Sequence, residues 1–368
     1  MYFDYMSSTP VHPDVSKCML EYLSSPIYFA NPDSPHGLGS SCRVRFDELS
    51  SQFLTLLGAP DAQVIWTSGA TESINLALKG AAKQYHRAGK HIITWKTEHS
   101  ATLDTLSSLE KDGFSVTMLP VLPDGMIDIA LLDQSIRSDT ILVSITHVHN
   151  ELGCIQDIDA IARLCYARGV LIHVDCAQTL GKAPVNLSPF ITYASFSAHK
   201  CNGPKGVGAL LMLDANRPLQ KQMHGGLQQN NKRAGTIPLF LIAGFVRSIE
   251  LTLAHYSAQM AKYEHFSSYC KEKLHPSILW NGTVSQRTPV NVNLMMPSSV
   301  DLARLDDLKQ QYSLSSHAAC NPYATSHVLT AIGRSSDEQK RCLRISFGLQ
   351  TTEDCVVTLV DAINDLVA

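Results

Sequence analysis

The sequence predicts an α/β protein in which a mainly parallel sheet is covered by helices on both faces, with a smaller α+β part after it. Three observations lead there. Between about residues 60 and 215, short β-branched runs alternate with stretches of helical period, the pattern of βαβ units. Beyond Pro238 that rhythm gives way to a long helical stretch, an alternating strand and a closing helix. The 368 residues, 45% hydrophobic and 17% charged, suffice for a large core and about two domains at ~150 residues each.

Taken in order, Val64–Thr67 is the first strand of the series, followed by a helix through Ile74, Leu76, Ala77 and Leu78. Further strands are expected at His91–Thr94, Ser115–Met118, Ile141–Ser144, Leu171–Val174 and Tyr193–Phe196. Amphipathic helices lie between several of them, Asp159–Arg168 being one. The helical stretch after Pro238 ends near His275, Val290–Leu294 alternates as a strand, and a last helix starts at about Thr352. The expected division is a large domain over residues 13–250 and a small one over residues 251–368, joined by residues 1–12.

Composition narrows the partners. Thirty basic and 33 acidic side chains give a formal charge of −3. Without a basic excess or a basic run, electrostatic binding to nucleic acid is not expected. The start, Met1-Tyr2-Phe3-Asp4-Tyr5, carries an acid where a presequence carries bases. The longest strongly apolar stretch, Ile237–Val246, begins Ile-Pro and is far short of the ~20 residues that span a bilayer. A cytoplasmic protein without a membrane partner is expected. None of the ten cysteines forms a Cys-x-x-Cys pair, so neither a zinc ribbon nor a thioredoxin-like motif is present, and no metal is expected.

Ligands of open α/β sheets bind at the carboxyl ends of the strands, so the residues just beyond each strand carry the functional reading. After the first strand comes Ser68-Gly69-Ala70-Thr71-Glu72-Ser73, a small-residue turn whose helix start offers N–H groups to a phosphate. Lys96-Thr97-Glu98-His99, His147-Val148-His149-Asn150-Glu151, Asp175-Cys176-Ala177-Gln178 and Ser197-Ala198-His199-Lys200 stand at the ends of the later strands. Each alone reads as polar residues at a strand end. Together they place a carboxylate, a lysine, a histidine and several amides beside an anion-binding turn, which is the set a pyridoxal phosphate site needs. Asp175 is the natural partner of the ring nitrogen, with a charge-assisted hydrogen bond of about 1.5–3 kcal/mol. No G-x-x-x-x-G-K or G-x-G-x-x-G pattern points instead to a nucleotide.

These motifs resemble the cysteine desulfurases, NifS- and IscS-like enzymes of the class V aminotransferases with the type I fold of pyridoxal-phosphate enzymes. The likeness runs from Phe3-Asp4-Tyr5 through Asn31-Pro32 and Gly203-Pro204-Lys205-Gly206 to Arg344-Ile345-Ser346-Phe347. It implies that Lys200 carries the cofactor, that His99 stacks on its ring, and that Asp175 holds the ring nitrogen. Asn150 and Gln178 would flank the ring and its 3′ oxygen. Thr71, Ser197 and His199 would bind the phosphate, with Ala70 beside them in the cofactor-binding turn. Thr236 would reach the phosphate of a neighbouring subunit in a homodimer, and Asn31 and Arg344 would hold the substrate carboxylate.

The discriminating residue is Cys320 in Ser315-Ser316-His317-Ala318-Ala319-Cys320, with Asn321-Pro322 next, which reads as a surface loop. The resemblance implies that sulfur leaves L-cysteine for the Cys320 thiolate, giving L-alanine and a persulfide that is passed to an acceptor protein. His317 and Ala318 stand where the family has Gly-Ser, and the loop is about two residues shorter than in the family. His149 replaces an Asn found in many members. The chain ends at Leu366-Val367-Ala368 without the extension that housekeeping members use to contact an iron–sulfur scaffold. That favours a specialised acceptor, as in tRNA thiolation or DNA phosphorothioation. Two other readings stay open: a class V aminotransferase or selenocysteine lyase with the same cofactor, and a non-catalytic docking partner that keeps the fold.

Overall fold

The computed structural model of the chain describes residues 1–316 and 325–367. Seven strands form the larger sheet: β1 (Gln63–Thr67), β2 (His91–Trp95), β3 (Ser115–Leu119), β4 (Thr140–Thr146), β5 (Leu171–Asp175), β6 (Tyr193–Ser197) and β7 (Gly208–Met212). Their order is β1-β7-β6-β5-β4-β2-β3. Only β7 runs against its neighbours β1 and β6; the other pairs are parallel. The carboxyl ends of β1, β2, β4, β5 and β6 therefore share one edge.

Period-two alternation splits the strand residues between two apolar layers. Ile65, Ile92, Leu142 and Leu210 pack with Ile74, Leu78, Leu106 and Leu109 of α3 (Ala70–Tyr85) and α4 (Ser100–Lys111). The intervening Trp66, Ile93, Val143 and Leu211 face the opposite layer. That layer is built from Phe53 of α2 (Gly37–Leu56), Ile161 of α6 (Ile158–Ala167) and Phe245 of α7 (Leu239–Ala254). The remaining helices of this part, α1 (Pro13–Leu23) and α5 (Ile129–Ser135), lie before β1 and between β3 and β4. Phe53 is fully buried, with its ring 4.7 Å from Trp66 and 5.3 Å from Phe245.

A three-stranded antiparallel sheet, β10 (Cys342–Ser346), β9 (Asn291–Met295) and β8 (Leu279–Trp280), carries a separate apolar cluster. Helices α8 (Tyr256–Lys273) and α12 (Glu353–Asn364) cover it, while α9 (Leu302–Gln311), α10 (His327–Ala331) and α11 (Ser336–Lys340) complete this part. Phe3 and Met6 belong to the same cluster, and Asp4 pairs in parallel with Ser346.

Two elements differ from the sequence expectation. The helical stretch expected from Pro238 to His275 is two helices, α7 and α8, bent by 67° at His255. α7 buries Ile242, Phe245 and Ile249 against the large sheet, whereas α8 buries Tyr263, Phe266 and Cys270 in the second cluster. The axis has to turn between them. β7, Gly-Ala-Leu-Leu-Met, is not among the expected strands, since it has neither a β-branched nor an aromatic residue; pairing on both sides overrides the weak propensity. No single described helix is long and apolar enough to cross a membrane.

Candidate active site

A cavity of about 600 Å³ opens at the shared carboxyl edge of the large sheet. It is lined by Ser68 to Glu72, Ser197 and His199 beside the start of α3, by Asp175, Gln178 and Lys200 at and beyond the ends of β5 and β6, and by His99, Asn150 and Arg344. Met6, Ser7 and Ser8 complete the wall from the N-terminal segment.

The end of the cavity at α3 follows from local sequence. Thr67 Oγ1 meets Ser73 Oγ at 2.7 Å and donates to the Gly69 carbonyl at 3.1 Å, curling the chain from β1 into α3. No side chain caps α3. Its first-turn N–H groups thus present the positive end of the helix to the cavity. The turn lies against β7 so closely that a Cβ on Gly208 would sit 2.5 Å from Gly69 Cα. Only glycine fits at 208. Arg233 donates to Glu72 at 2.9 Å, and Ser68 N–H at 2.7 Å. Burial works to raise the Glu72 carboxyl, but these bonds hold it below its usual range.

Asp175 ends β5 and is buried, with Oδ1 accepting from the Ala177 N–H at 2.9 Å. Burial pushes its carboxyl up; the Ala177 bond, and then the nearby His99 and Lys200, oppose that. Gln178 donates through Nε2 to the Met6 carbonyl at 2.7 Å, while its buried Oε1 has no partner among the described residues. Lys200 closes the short turn after β6, and its Nζ donates to the carbonyls of Met6 at 2.9 Å and Ser7 at 2.7 Å. His199 is pushed down to about 4, first by burial and then by the charges of Lys200, Lys182 and Lys205. Its ring stays neutral, with Nδ1 3.3 Å from Ser8 Oγ.

At the mouth, His99 caps α4: its Nδ1 accepts from the Ala101 N–H at 3.0 Å, so the neutral ring carries its proton on Nε2. Glu98, next to it, turns away from the cavity and is fully buried. Its two oxygens accept from Thr146 N–H at 3.0 Å and Thr146 Oγ1 at 2.7 Å, and burial pushes the carboxyl up to about 8. His149 Nε2 donates to the Thr97 carbonyl at 2.8 Å, and its Nδ1 accepts from Glu151 and Leu152 N–H groups. Burial keeps that ring neutral. His149 thus locks the Asn150 turn to the His99 turn and does not line the cavity.

Arg344 is 1% exposed; it donates to Asp4 Oδ1 at 2.6 Å, Ser7 Oγ at 2.8 Å and the Asn150 carbonyl at 2.9 Å, while its buried Nε has no partner among the described residues. Two expected residues stand elsewhere in this chain. Asn31 is exposed, its Oδ1 accepting from the Asp33 N–H, and does not line the cavity because its side chain closes a local turn. Thr236 is exposed on the stretch after Arg233, outside the cavity. Cys320 lies outside the described residues. The chain just before it is fixed to the site, since the Ser315 carbonyl accepts from the Arg344 N–H at 2.6 Å. Just after it, Ser326 Oγ donates to Glu151 Oε2 at 2.7 Å, and His327 Nε2 lies 2.9 Å from the Glu98 carbonyl. Among the described residues no His, Cys, Asp or Glu cluster could hold a metal ion, and all nine cysteines are free.

The aminotransferase class-V family model matches residues 1–359. A cysteine desulfurase IscS of Edwardsiella ictaluri is 38% identical over 374 aligned positions, covering 99% of this chain and 91% of the relative. The chain belongs to the cysteine desulfurases of the class-V aminotransferase family. Among solved structures, a NifS-like protein superposes with a TM-score of 0.91 at 30% identity, covering 100% of this chain and 99% of the other. A second, SspA in complex with cysteine, superposes with a TM-score of 0.84 at 34% identity over 94% and 98% of the two chains. The class-V fold thus accounts for the seven-stranded sheet, its β7 reversal and the site at its carboxyl edge.

Proposed function

We propose that this cysteine desulfurase uses pyridoxal 5′-phosphate to move sulfur from L-cysteine to Cys320. The observation that carries the reading is the meeting of Lys200 and Asp175 in one cavity at the uncapped start of α3. The residues present fit the cofactor: Asp175 is a buried carboxylate for a ring nitrogen, and Gln178 Oε1 is a buried acceptor without a donor. The α3 N–H groups with Thr71 and Ser197 suit a phosphate. When bound, the cofactor supplies the electron sink that lets bonds at the substrate Cα and Cβ break.

The chain's own residues then divide the work. Lys200 Nζ, held by the Met6 and Ser7 carbonyls, attaches the cofactor and afterwards moves the proton at substrate Cα. His99, whose Nδ1 is fixed by the α4 cap, covers the ring and offers Nε2 toward the cavity. Arg344 receives the substrate carboxylate with the guanidinium that Asp4 and Ser7 orient. The Cys320 thiolate attacks the substrate sulfur, so that a new S–S bond forms as the Cβ–S bond breaks. In balance, L-cysteine and a thiol give L-alanine and a persulfide. At a pKa of ~8.5 a few per cent of thiolate at pH 7 costs about 2 kcal/mol, small beside the ~8 kcal/mol or more that enzymes remove. The persulfide then passes to an acceptor protein in the cytoplasm. A homodimer brings the partner's copy of the exposed Thr236 stretch to the phosphate.

The test is mass analysis of Cys320 and assay of alanine after L-cysteine is added to the cofactor-loaded protein. A persulfide on Cys320 and its loss, together with alanine, in Cys320→Ser are expected. Undiminished alanine from Cys320→Ser would rule the mechanism out.

A further inference from the structure

Lys182 is buried, 4% exposed, and among the described residues it makes no ion pair. Its Nζ donates to the backbone carbonyl of Lys200 at 2.6 Å. The carbonyls of the Ala198–Lys200 turn are each held from a different direction. Ala198 accepts from the Cys201 and Gly203 N–H groups, and His199 from Thr9, whereas Lys200 accepts from the Lys182 ammonium. Lys200 therefore sits between two spaces. Its amine lines the large cavity, and its backbone borders a second cavity of about 30 Å³ shared with Lys182, Tyr5 and Tyr263. The loop that carries Asp175 and Gln178 also delivers Lys182. It does so through Gly181 at φ +72°, where a Cβ would lie 2.9 Å from Thr252 Cγ2.

We propose that Lys182 is a positioning residue for Lys200: it fixes the carbonyl of that turn and sets a positive charge behind the amine that captures the cofactor. The inference rests on the reading of Lys200 as the cofactor-bearing residue. A like charge nearby favours the neutral amine, which is the form that condenses with an aldehyde. Burial pushes Lys182 itself down to about 7, against the pull of Cys201 and with the push of Lys200. His199 lies at about 4 and Cys201 at about 11, and Tyr5 and Tyr263 are raised. Asp175, raised by burial, faces Lys200, Lys205 lines the same cavity, and Glu98, pushed up to about 8, lies against Thr146.

The experiment uses the full chain stripped of cofactor. Pyridoxal phosphate is added across pH 5–10, its bound visible absorption is followed, and borohydride-trapped cofactor is mapped to its residue. Lys182→Gln, which keeps a donor without the charge, is expected to slow capture about tenfold below pH 7, where Lys182 is protonated, and to leave it unchanged above pH 8. Lys182→Arg restores it. Lys182→Met repeats the neutral measurement should the amide not fold, as judged by the melting temperature of the cofactor-free protein. An unchanged rate below pH 7 in the neutral variants, or the same slowing in Lys182→Arg, would overturn the proposal. Trapped cofactor on a residue other than Lys200, in the wild-type chain, would instead overturn the reading of Lys200.

Discussion

The two flanks of the cavity both bury titratable groups, yet they treat them in opposite ways. On the His99 flank the chain satisfies its own groups: Thr146 gives two donors to Glu98, the Asn150 turn and Thr97 hold His149, and Ser326 serves Glu151. On the Asp175 flank a buried carboxylate has one backbone donor, Gln178 keeps an orphan oxygen, and Lys182 lies buried without a carboxylate. Buried polar groups left without partners are costly, so a folded chain keeps few of them. The contrast separates a flank that is finished by folding from one that is finished by what it binds.

Substitutions can break that contrast, and the largest effect is expected on the unfinished flank. Lys200→Ala removes covalent attachment, so visible absorption of bound cofactor and alanine formation should vanish together, a loss of about a thousandfold or more in turnover. Asp175→Ala should weaken cofactor retention by about 1.5–3 kcal/mol, read by dialysis of the loaded protein, while the melting temperature of the cofactor-free protein stays level or rises. A lower melting temperature there would show that Asp175 serves the fold instead.

The finished flank should answer in stability. Glu98 lies near 8 in the fold against a reference of 4.5. With the folded value raised, its contribution is fully present below about 4.5 and is lost as pH rises toward 8. Glu98→Gln should flatten that fall, by on the order of a few kcal/mol in urea titrations at pH 5 and pH 8. Thr146→Val, which removes one donor to Glu98, should cost about 1–3 kcal/mol at neutral pH with the cofactor spectrum unchanged. Ser326→Ala loses the cap of α10 and the bond to Glu151; about 1–2 kcal/mol is expected. Loss of cofactor binding in any of these three would erase the distinction between the flanks.

The unfinished flank was the more legible one in the sequence. Asp175, Gln178, Ser197 and Lys200 stand at or within three residues of the ends of β-branched or aromatic runs, so the strand-end rule finds them without knowledge of the fold. The finished flank was not readable in the same way. Glu98 was visible in Lys96-Thr97-Glu98-His99, but nothing in that string says that Glu98 turns inward while His99 faces the cavity. Met6 and Ser7 act through carbonyls and leave no side-chain signal. Lys182 reads as a surface lysine, because burial of a charge depends on packing far along the chain, here on α7. Ser326 did carry a signal, a serine opening a short helix before Val328 and Leu329. Asn31 and Thr236 were placed by resemblance, and in this chain both lie outside the cavity.

The N-terminal segment has a consequence for how the protein is made. Phe3 and Ser346 are 343 positions apart, yet the Phe3 carbonyl accepts from both the N–H and the hydroxyl of Ser346. The carbonyls beside them, at Met6 and Ser7, hold the reactive amine. A nascent chain still lacking β10 has no partner for that strap, so the pocket cannot mature during most of synthesis. On the proposed reading of Lys200, cofactor capture would follow completion of the chain through its last strand.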